Sequence, residues 1–448
     1  MGNIYNFSKN VIQNLIKENK SNNSFIPILL VLATIPLSFA INNIALAGFL
    51  LVAFVTLKKE NLNFEKALLL PVLLYFLMAI SFFWTIDSQE TVAALLKEIP
   101  LLLIPIGFFI YKANTSEQRK KIIGYYSYVI AALACYYLIR SVIRYSISGD
   151  SRAFFYHGQN DDDYGLVPKL LNAIHVSVFA AVAFYYFFTK TVKTKWDTVI
   201  AVMLFGFILL LSSKNIILIV ILLTLIYVFF FSKSGHKMRL RNVIVLGLLV
   251  GIIFSFGKIK KRFEEEFKTN TEKSISTNVI ESTPPEVHYI SLKEAWTNES
   301  FTANDYFPGT AFRVYQLRVF IELLKEEPIL WTGYGLNAST GKLLEKEKEH
   351  NLHQGYGTYN FHNQYIQNFA ELGIFGFILL LIMLIINVKN AVRSKDFVHF
   401  AFAFLMISLF LTESFLWRQR GVVFFTMMYC LFNSVPKVRD VQNNSKSE

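Results

Sequence analysis

The chain has 448 residues, of which 54% are hydrophobic and 16% aromatic but only 17% charged, and its mean hydropathy is +0.41. That balance excludes a soluble protein of this size and points to an all-α polytopic membrane protein. The net charge of +12 is mostly a topology signal and gives no reason to expect a nucleic-acid partner.

In chain order, residues 1–25 read as a cytoplasmic N-terminal segment. Ile4, Phe7, Val11 and Leu15 with Lys9, Lys17 and Lys20 spell either an amphipathic helix lying on the membrane or a partly ordered tail. The first apolar run starts only near Phe25 and leads into further spans, so no cleavable signal peptide is expected. Apolar runs of spanning length lie at 26–40, 43–57, 67–84, 91–110, 122–145, 168–189, 197–212, 215–231 and 242–257. After a long polar insert they resume at 363–388, 397–416 and 420–435, which makes about twelve helices. The predicted units are the N-terminal segment 1–25, helices one to nine in 26–257, a loop domain in 258–361, helices ten to twelve in 362–435, and a cytoplasmic tail, 436–448. Short loops on one side carry about 23 Lys and Arg against about 5 on the other, so both termini are expected in the cytoplasm. Cys135 and Cys430 fall within spans, and no disulfide framework is expected.

Three segments are then external. The loop from Ser146 to Val167 contains Asp161, Asp162 and Asp163, read as a solvated turn in preference to a cation site. The turn Ser212-Ser213-Lys214-Asn215 places a lysine at a helix end, where it either snorkels or faces a phosphate. The insert opens with Lys258, Lys260, Lys261 and Arg262, then Glu264, Glu265 and Glu266, and tightens after Pro308-Gly309. From Thr310 the spacing predicts a helix stopped by Pro328, with Arg313, Leu317, Phe320, Ile321 and Leu324 on one face. An arginine heading an apolar stripe needs an anionic partner or an exit to water. His350, His353 and His362 lack anything that would set tetrahedral geometry, so no metal site is expected. Lys97-Glu98 before Pro100 reads as an interfacial break in a span.

Helix ten is predicted as one continuous element from Asn363 to about Val388, roughly 39 Å long and therefore longer than the hydrocarbon core is thick. Gln364, Gln367, Asn368 and Glu371 follow i, i+3, i+4, i+7 spacing, a polar stripe expected to face the bundle interior, with His362 at its mouth. Taken alone, His362-Asn363 reads as a helix cap.

Several of these residues fall into an ordered set of motifs. Arg313, Glu326-Glu327-Pro328, Gly333-Tyr334-Gly335, His362-Asn363-Gln364-Tyr365 and Glu371-Leu372-Gly373-Ile374-Phe375-Gly376 together resemble the signature of the O-antigen ligase and polymerase superfamily. The resemblance extends through Leu411-Thr412-Glu413-Ser414-Phe415-Leu416-Trp417-Arg418-Gln419-Arg420-Gly421, which is similar to ligase-type members from Bacteroidetes-like bacteria. It implies a GT-C-like arrangement with one large extracytoplasmic loop between helices nine and ten. It also implies transfer of a glycan from an undecaprenyl-diphosphate donor to an acceptor hydroxyl at the periplasmic face of the bacterial inner membrane, without nucleotide sugar, metal or other cofactor.

In a ligase the acceptor is lipid A-core; in a polymerase it is another lipid-linked repeat. The family's essential histidine matches His362, and its loop arginine matches Arg313, with Arg262 a second candidate. Its other arginine falls on Lys214, which keeps the charge but loses the bidentate fork. An acidic family residue matches Glu413, open to orienting His362 or pairing with Arg418 or Arg420. Histidine is the side chain suited to take a hydroxyl proton near neutral pH, and a diphosphate leaving group needs cations, here Arg313, Lys214, Arg262 and Arg418. Asn363 and Gln364 support the site from the start of helix ten. The competing expectation from another class is a transporter or flippase for the same lipid-linked glycan.

Overall fold

A computed structural model of the chain describes residues 2–157, 164–232 and 287–434, together with 244, 247 and 251. Nearly all of the ninth predicted span, the acidic triplet 161–163, Arg262 and its basic-acidic neighbourhood, and the tail 436–448 lie outside the described residues.

The described apolar runs are helices. α1 (Gly2–Ser21) leads into α2 (Phe25–Thr34) and α3 (Phe39–Val55); α4 (Leu69–Ile80), α5 (Ser88–Glu98), α6 (Pro100–Ile110) and the long α7 (Ser116–Ser148) follow. Then come α8 (Ala173–Thr189), α9 (Lys195–Leu210) and α10 (Lys214–Ile226). Beyond the insert are α14 (Gln364–Ser394), α15 (Phe397–Phe410) and α16 (Gln419–Asn433). Helix starts carry side-chain caps: Thr115 with Gln118 and Thr194 with Asp197 form reciprocal capping boxes, and Asp87, Asn172, Asn363 and Asp396 accept from first-turn amides. Among the described residues, five stretches are long and apolar enough to cross a membrane: Lys66–Phe83, Ser88–Ile110, Ser116–Ser148, Lys214–Phe231 and Gln364–Ser394. Large apolar side chains such as Ile44, Phe54, Val55 and Leu218 project from the bundle, a surface suited to lipid. The bundle centre is α8 and α16, whose residues Val178–Ala183 and Val422–Leu431 have no exposed side chain.

Residues 287–361 build a second core. Two short strands, β1 (His288–Tyr289) and β2 (Asp305–Tyr306), pair in parallel, and α11 (Leu292–Thr297), α12 (Gly309–Glu326) and α13 (Ser339–Glu349) pack around Phe301, Phe307, Tyr315, Val319 and Leu323. The cluster continues into Phe361 and Ala370, so this insert is seated on the head of α14.

Two expectations are corrected. Helix ten is not continuous: Gly373 has φ +62 and ψ −162, which breaks α14 nine residues in. The loop Trp331–Gly335 fills the gap. Tyr334 N donates to the Ala370 carbonyl (2.8 Å), Gly335 N to the Glu371 carbonyl (2.9 Å), and Ile374 N to the Leu330 carbonyl (2.9 Å). Backbone groups freed by the break are thus satisfied inside the protein, the condition under which irregular chain is tolerated at membrane depth. The second correction concerns α12. Its buried face is Phe312, Tyr315, Gln316, Val319, Phe320 and Leu323, whereas Leu317 is exposed; Arg313 flanks that face and does not head it. The predicted break at Lys97-Glu98 falls at Ile99, between α5 and α6.

Candidate active site

His362 is presented by a tight turn ahead of α14. Its backbone is left-handed (φ +47), a strained choice for a side-chain-bearing residue, held because its N–H donates to Asn360 Oδ1 (3.0 Å). Its Nδ1 lies 2.9 Å from the Asn360 carbonyl, which can only accept, so Nδ1 carries the proton and Nε2 is left with its lone pair. Phe312 and Tyr359 meet the ring edge-on or tilted, with centroids 5.9 and 5.6 Å away. Burial pushes the imidazole below its ordinary pKa. Glu413 and the Asn360 carbonyl oppose that shift, and Arg313 and Arg418 reinforce it. The net direction is downward, so the ring is neutral and able to accept a proton near pH 7. It opens on a cleft of about 740 Å³ walled by Tyr306, Phe307, Phe312, Tyr356 and Tyr359, with Asn304 and Gln354 among its polar lining.

Arg313 and the neighbours of Lys214 and His362 meet at the end of α15. Arg313 Nε donates to the Thr412 carbonyl (3.0 Å) and its Nη1 to the Gly309 carbonyl (2.9 Å). Asn215, next to Lys214, donates to Thr412 Oγ1 and to the Ser408 carbonyl, both at 2.7 Å. Asn363, next to His362, caps α14 by accepting from Tyr365 N and Ile366 N and reaches the Leu411 carbonyl with its Nδ2 (3.3 Å). Three segments far apart in sequence are therefore tied to the unsatisfied carbonyl end of one helix. Lys214 opens α10 and is half-buried.

Glu413 directly follows this node and is buried, and its charge acts on His362. Arg418 is exposed. Arg420 is turned away: it donates to the Leu37 carbonyl (2.8 Å) and the Leu170 carbonyl and lies 4.1 Å over the Phe39 ring. Gln364 belongs to a different, inner pocket, where it bonds Asn368 Oδ1 (2.7 Å) and Leu416 N (2.7 Å) beside Glu98, Asn337, Gln367 and Glu371. The polar stripe 364/367/368/371 is buried and faces the bundle interior, as its spacing predicts. His350 is spent on the Tyr315 hydroxyl (2.9 Å) and on Glu322 (3.4 Å), and His353 is exposed. Thr412, Asn215 and Asn360 carry no mark in the sequence beyond standing next to Glu413, Lys214 and the His362 motif.

No curated protein matches the chain. Residues 198–381, a range that contains Lys214, Arg313 and His362, match the model of the family described as O-antigen ligase. That match supports membership of the O-antigen ligase superfamily for this multi-pass helical membrane chain.

Proposed function

We propose that the chain is an O-antigen ligase of the bacterial inner membrane, moving a glycan from an undecaprenyl-diphosphate donor to a hydroxyl of lipid A-core at the periplasmic face. His362 Nε2 takes the proton of the acceptor hydroxyl as that oxygen bonds to the anomeric carbon. The bond from that carbon to the diphosphate oxygen breaks with its electron pair, leaving undecaprenyl diphosphate. Arg313 and Lys214 hold the diphosphate and spread the charge that grows on it, with Arg262 and Arg418 as further cations. Glu413 steadies the imidazolium while it carries the extra proton.

The observation carrying this reading is the convergence on the end of α15. Arg313 and the neighbour of Lys214 share Thr412, while the neighbour of His362 takes Leu411, so base and cations are held to one anchor. The test is release of undecaprenyl diphosphate by the detergent-solubilised chain given donor and lipid A-core, with His362→Ala expected to abolish release while retaining donor binding. Full turnover by that variant overturns the reading.

One observation favours the transporter reading: the span broken at Gly373 shares a pocket with a second span through Glu371 and Glu98. Product formed in detergent, where no compartments exist, argues against it. Lipopolysaccharide banding in a deletion strain separates ligase from polymerase. Loss of all polymer on lipid A marks the first; a single repeat on lipid A marks the second.

A further inference from the structure

The nitrogen of His362 that faces away from the cleft begins a hydrogen-bonded chain running into the bundle. Nδ1–H donates to the Asn360 carbonyl (2.9 Å). The N–H of that same peptide unit, on Phe361, donates to Gln367 Oε1 (3.1 Å), and Gln367 Nε2 donates to Glu371 Oε1. Every link points the same way, and the last acceptor is a carboxyl group. The assignments are forced: a carbonyl oxygen can only accept and a peptide N–H can only donate, so neither the imidazole tautomer nor the Gln367 amide can be turned around.

The links are shielded. Phe361 is fully buried, Gln367 is 2% exposed and Glu371 4%. Gln316 Nε2 donates to the Asn360 carbonyl as well, and Ser414 Oγ to Gln367 Oε1 (3.4 Å), so the intermediate groups have no freedom to rotate out of line. In such surroundings aligned hydrogen bonds polarise one another.

We propose that Gln367 and Glu371 are positioning residues for His362, holding its Nε2 lone pair towards the cleft and strengthening it as a base through the Asn360–Phe361 peptide. The proposal rests on His362 being the base, but not on the identity of donor or acceptor. When Nε2 is protonated, Nδ1–H becomes a stronger donor, and the strengthening passes link by link to the Glu371 carboxyl oxygen. No proton leaves Nδ1. The stripe residues Gln367 and Glu371 thereby acquire a function that helix packing alone leaves without a reason.

Other charged groups also act on the two ends. Glu413, Arg313 and Arg418 face His362, while Glu98 on α5 and Lys97 at the pocket rim face Glu371. A variant at 371 must therefore be read against those constants. The test measures the titration of His362 directly, on the full chain in detergent. Diethyl pyrocarbonate labels neutral imidazole, and mass spectrometry of the peptide containing residue 362 gives the labelling rate against pH.

Glu371→Met, which deletes the carboxyl oxygen that ends the chain, is expected to move the labelling midpoint down by about half a unit, roughly threefold in the neutral fraction. Gln367→Met is expected to give the same shift, and the double variant no more than either single one. A midpoint unchanged, or moved up, in folded variants overturns the proposal; where Glu371→Met does not fold, Gln367→Met decides alone. The labelling needs no substrate. A His362→Ala enzyme that still transfers would sink the transferase reading without touching this result, and an unmoved midpoint would sink the chain without touching the transferase.

Discussion

Gly335 donates its amide hydrogen to the carbonyl of Glu371 at 2.9 Å, so the loop that follows α12 is zipped onto the break in α14. This contact joins two motifs almost forty residues apart and places Glu371 and His362 on one rigid unit. Two of the glycines at the junction are needed because of backbone crowding. Gly373 and Gly333 have φ of +62 and +66, and a Cβ on either would collide with backbone, that of Trp331 and Glu371 respectively. Gly373→Ala and Gly333→Ala are each expected to cost at least about 2 kcal/mol. Gly341→Ala, on an open helical position with nothing near its Cβ, should be neutral or stabilising by about 0.5 kcal/mol. Thermal melts of the solubilised variants check this, and equal losses at 341 and 373 would contradict it.

Most helices were legible because a run of apolar residues of spanning length has few alternatives. The break in α14 was not, because Leu372, Phe375 and Leu379 carry the apolar pattern straight across Gly373 and only the backbone dihedral reveals it. The face of α12 was misread for a related reason. Phe312, Val314, Tyr315, Leu317, Val319, Phe320 and Ile321 offer more than one apolar stripe, and only packing against residues 301–361 selects one. His362, Arg313 and Lys214 stand out by motif resemblance, whereas the anchor at Leu411 and Thr412 that Arg313, Asn215 and Asn363 share is a property of the fold.

Arg313 uses two different nitrogens on the carbonyls of Thr412 and Gly309. A lysine offers one nitrogen and cannot hold both while facing a diphosphate. Arg313→Lys is expected to raise KM for the lipid-linked donor about tenfold, roughly 1.4 kcal/mol, with kcat changed less. Steady-state kinetics with varied donor check it, and an unchanged KM would remove Arg313 from the donor site.

Thr412 Oγ1 receives the Asn215 amide at 2.7 Å. Thr412→Val keeps the shape and the backbone carbonyl used by Arg313 but deletes that acceptor, at a cost of about 1 kcal/mol. The expected phenotype is a modest fall in melting temperature with a raised donor KM, because the segment carrying Lys214 loses a tether. Lys214→Ala should raise the donor KM more, and adding Thr412→Val to it should raise that KM little further.

Glu98 has a buried carboxyl oxygen, Oε2, without a hydrogen-bond partner, at the C-terminal end of α5 where the helix dipole disfavours negative charge. It shares a small pocket with Glu371. Glu98→Gln keeps the size and supplies an N–H that can donate to Glu371, so the variant should be at least as stable as the parent. A lower melting temperature would mean that the carboxylate has a role the packing does not reveal.

The pH dependence of transfer follows from the groups around His362. Burial holds its pKa below the ordinary value, so the neutral base persists below about pH 6.5 and activity should fall only as pH drops through that lowered pKa. For folding the sign is the same. The unfolded histidine binds its proton at higher pH than the folded one, so acid draws the equilibrium towards unfolding, and this contribution to stability is lost as pH falls through the window between the two values. Glu413 raises the pKa and Arg418 lowers it. Glu413→Gln should therefore shift the acid limb of kcat/KM to lower pH, and Arg418→Gln should shift it to higher pH. Arg418 is exposed, so its effect should fade in high salt while that of the buried Glu413 persists. Shifts of the same sign in both variants would show that the acid limb does not report His362.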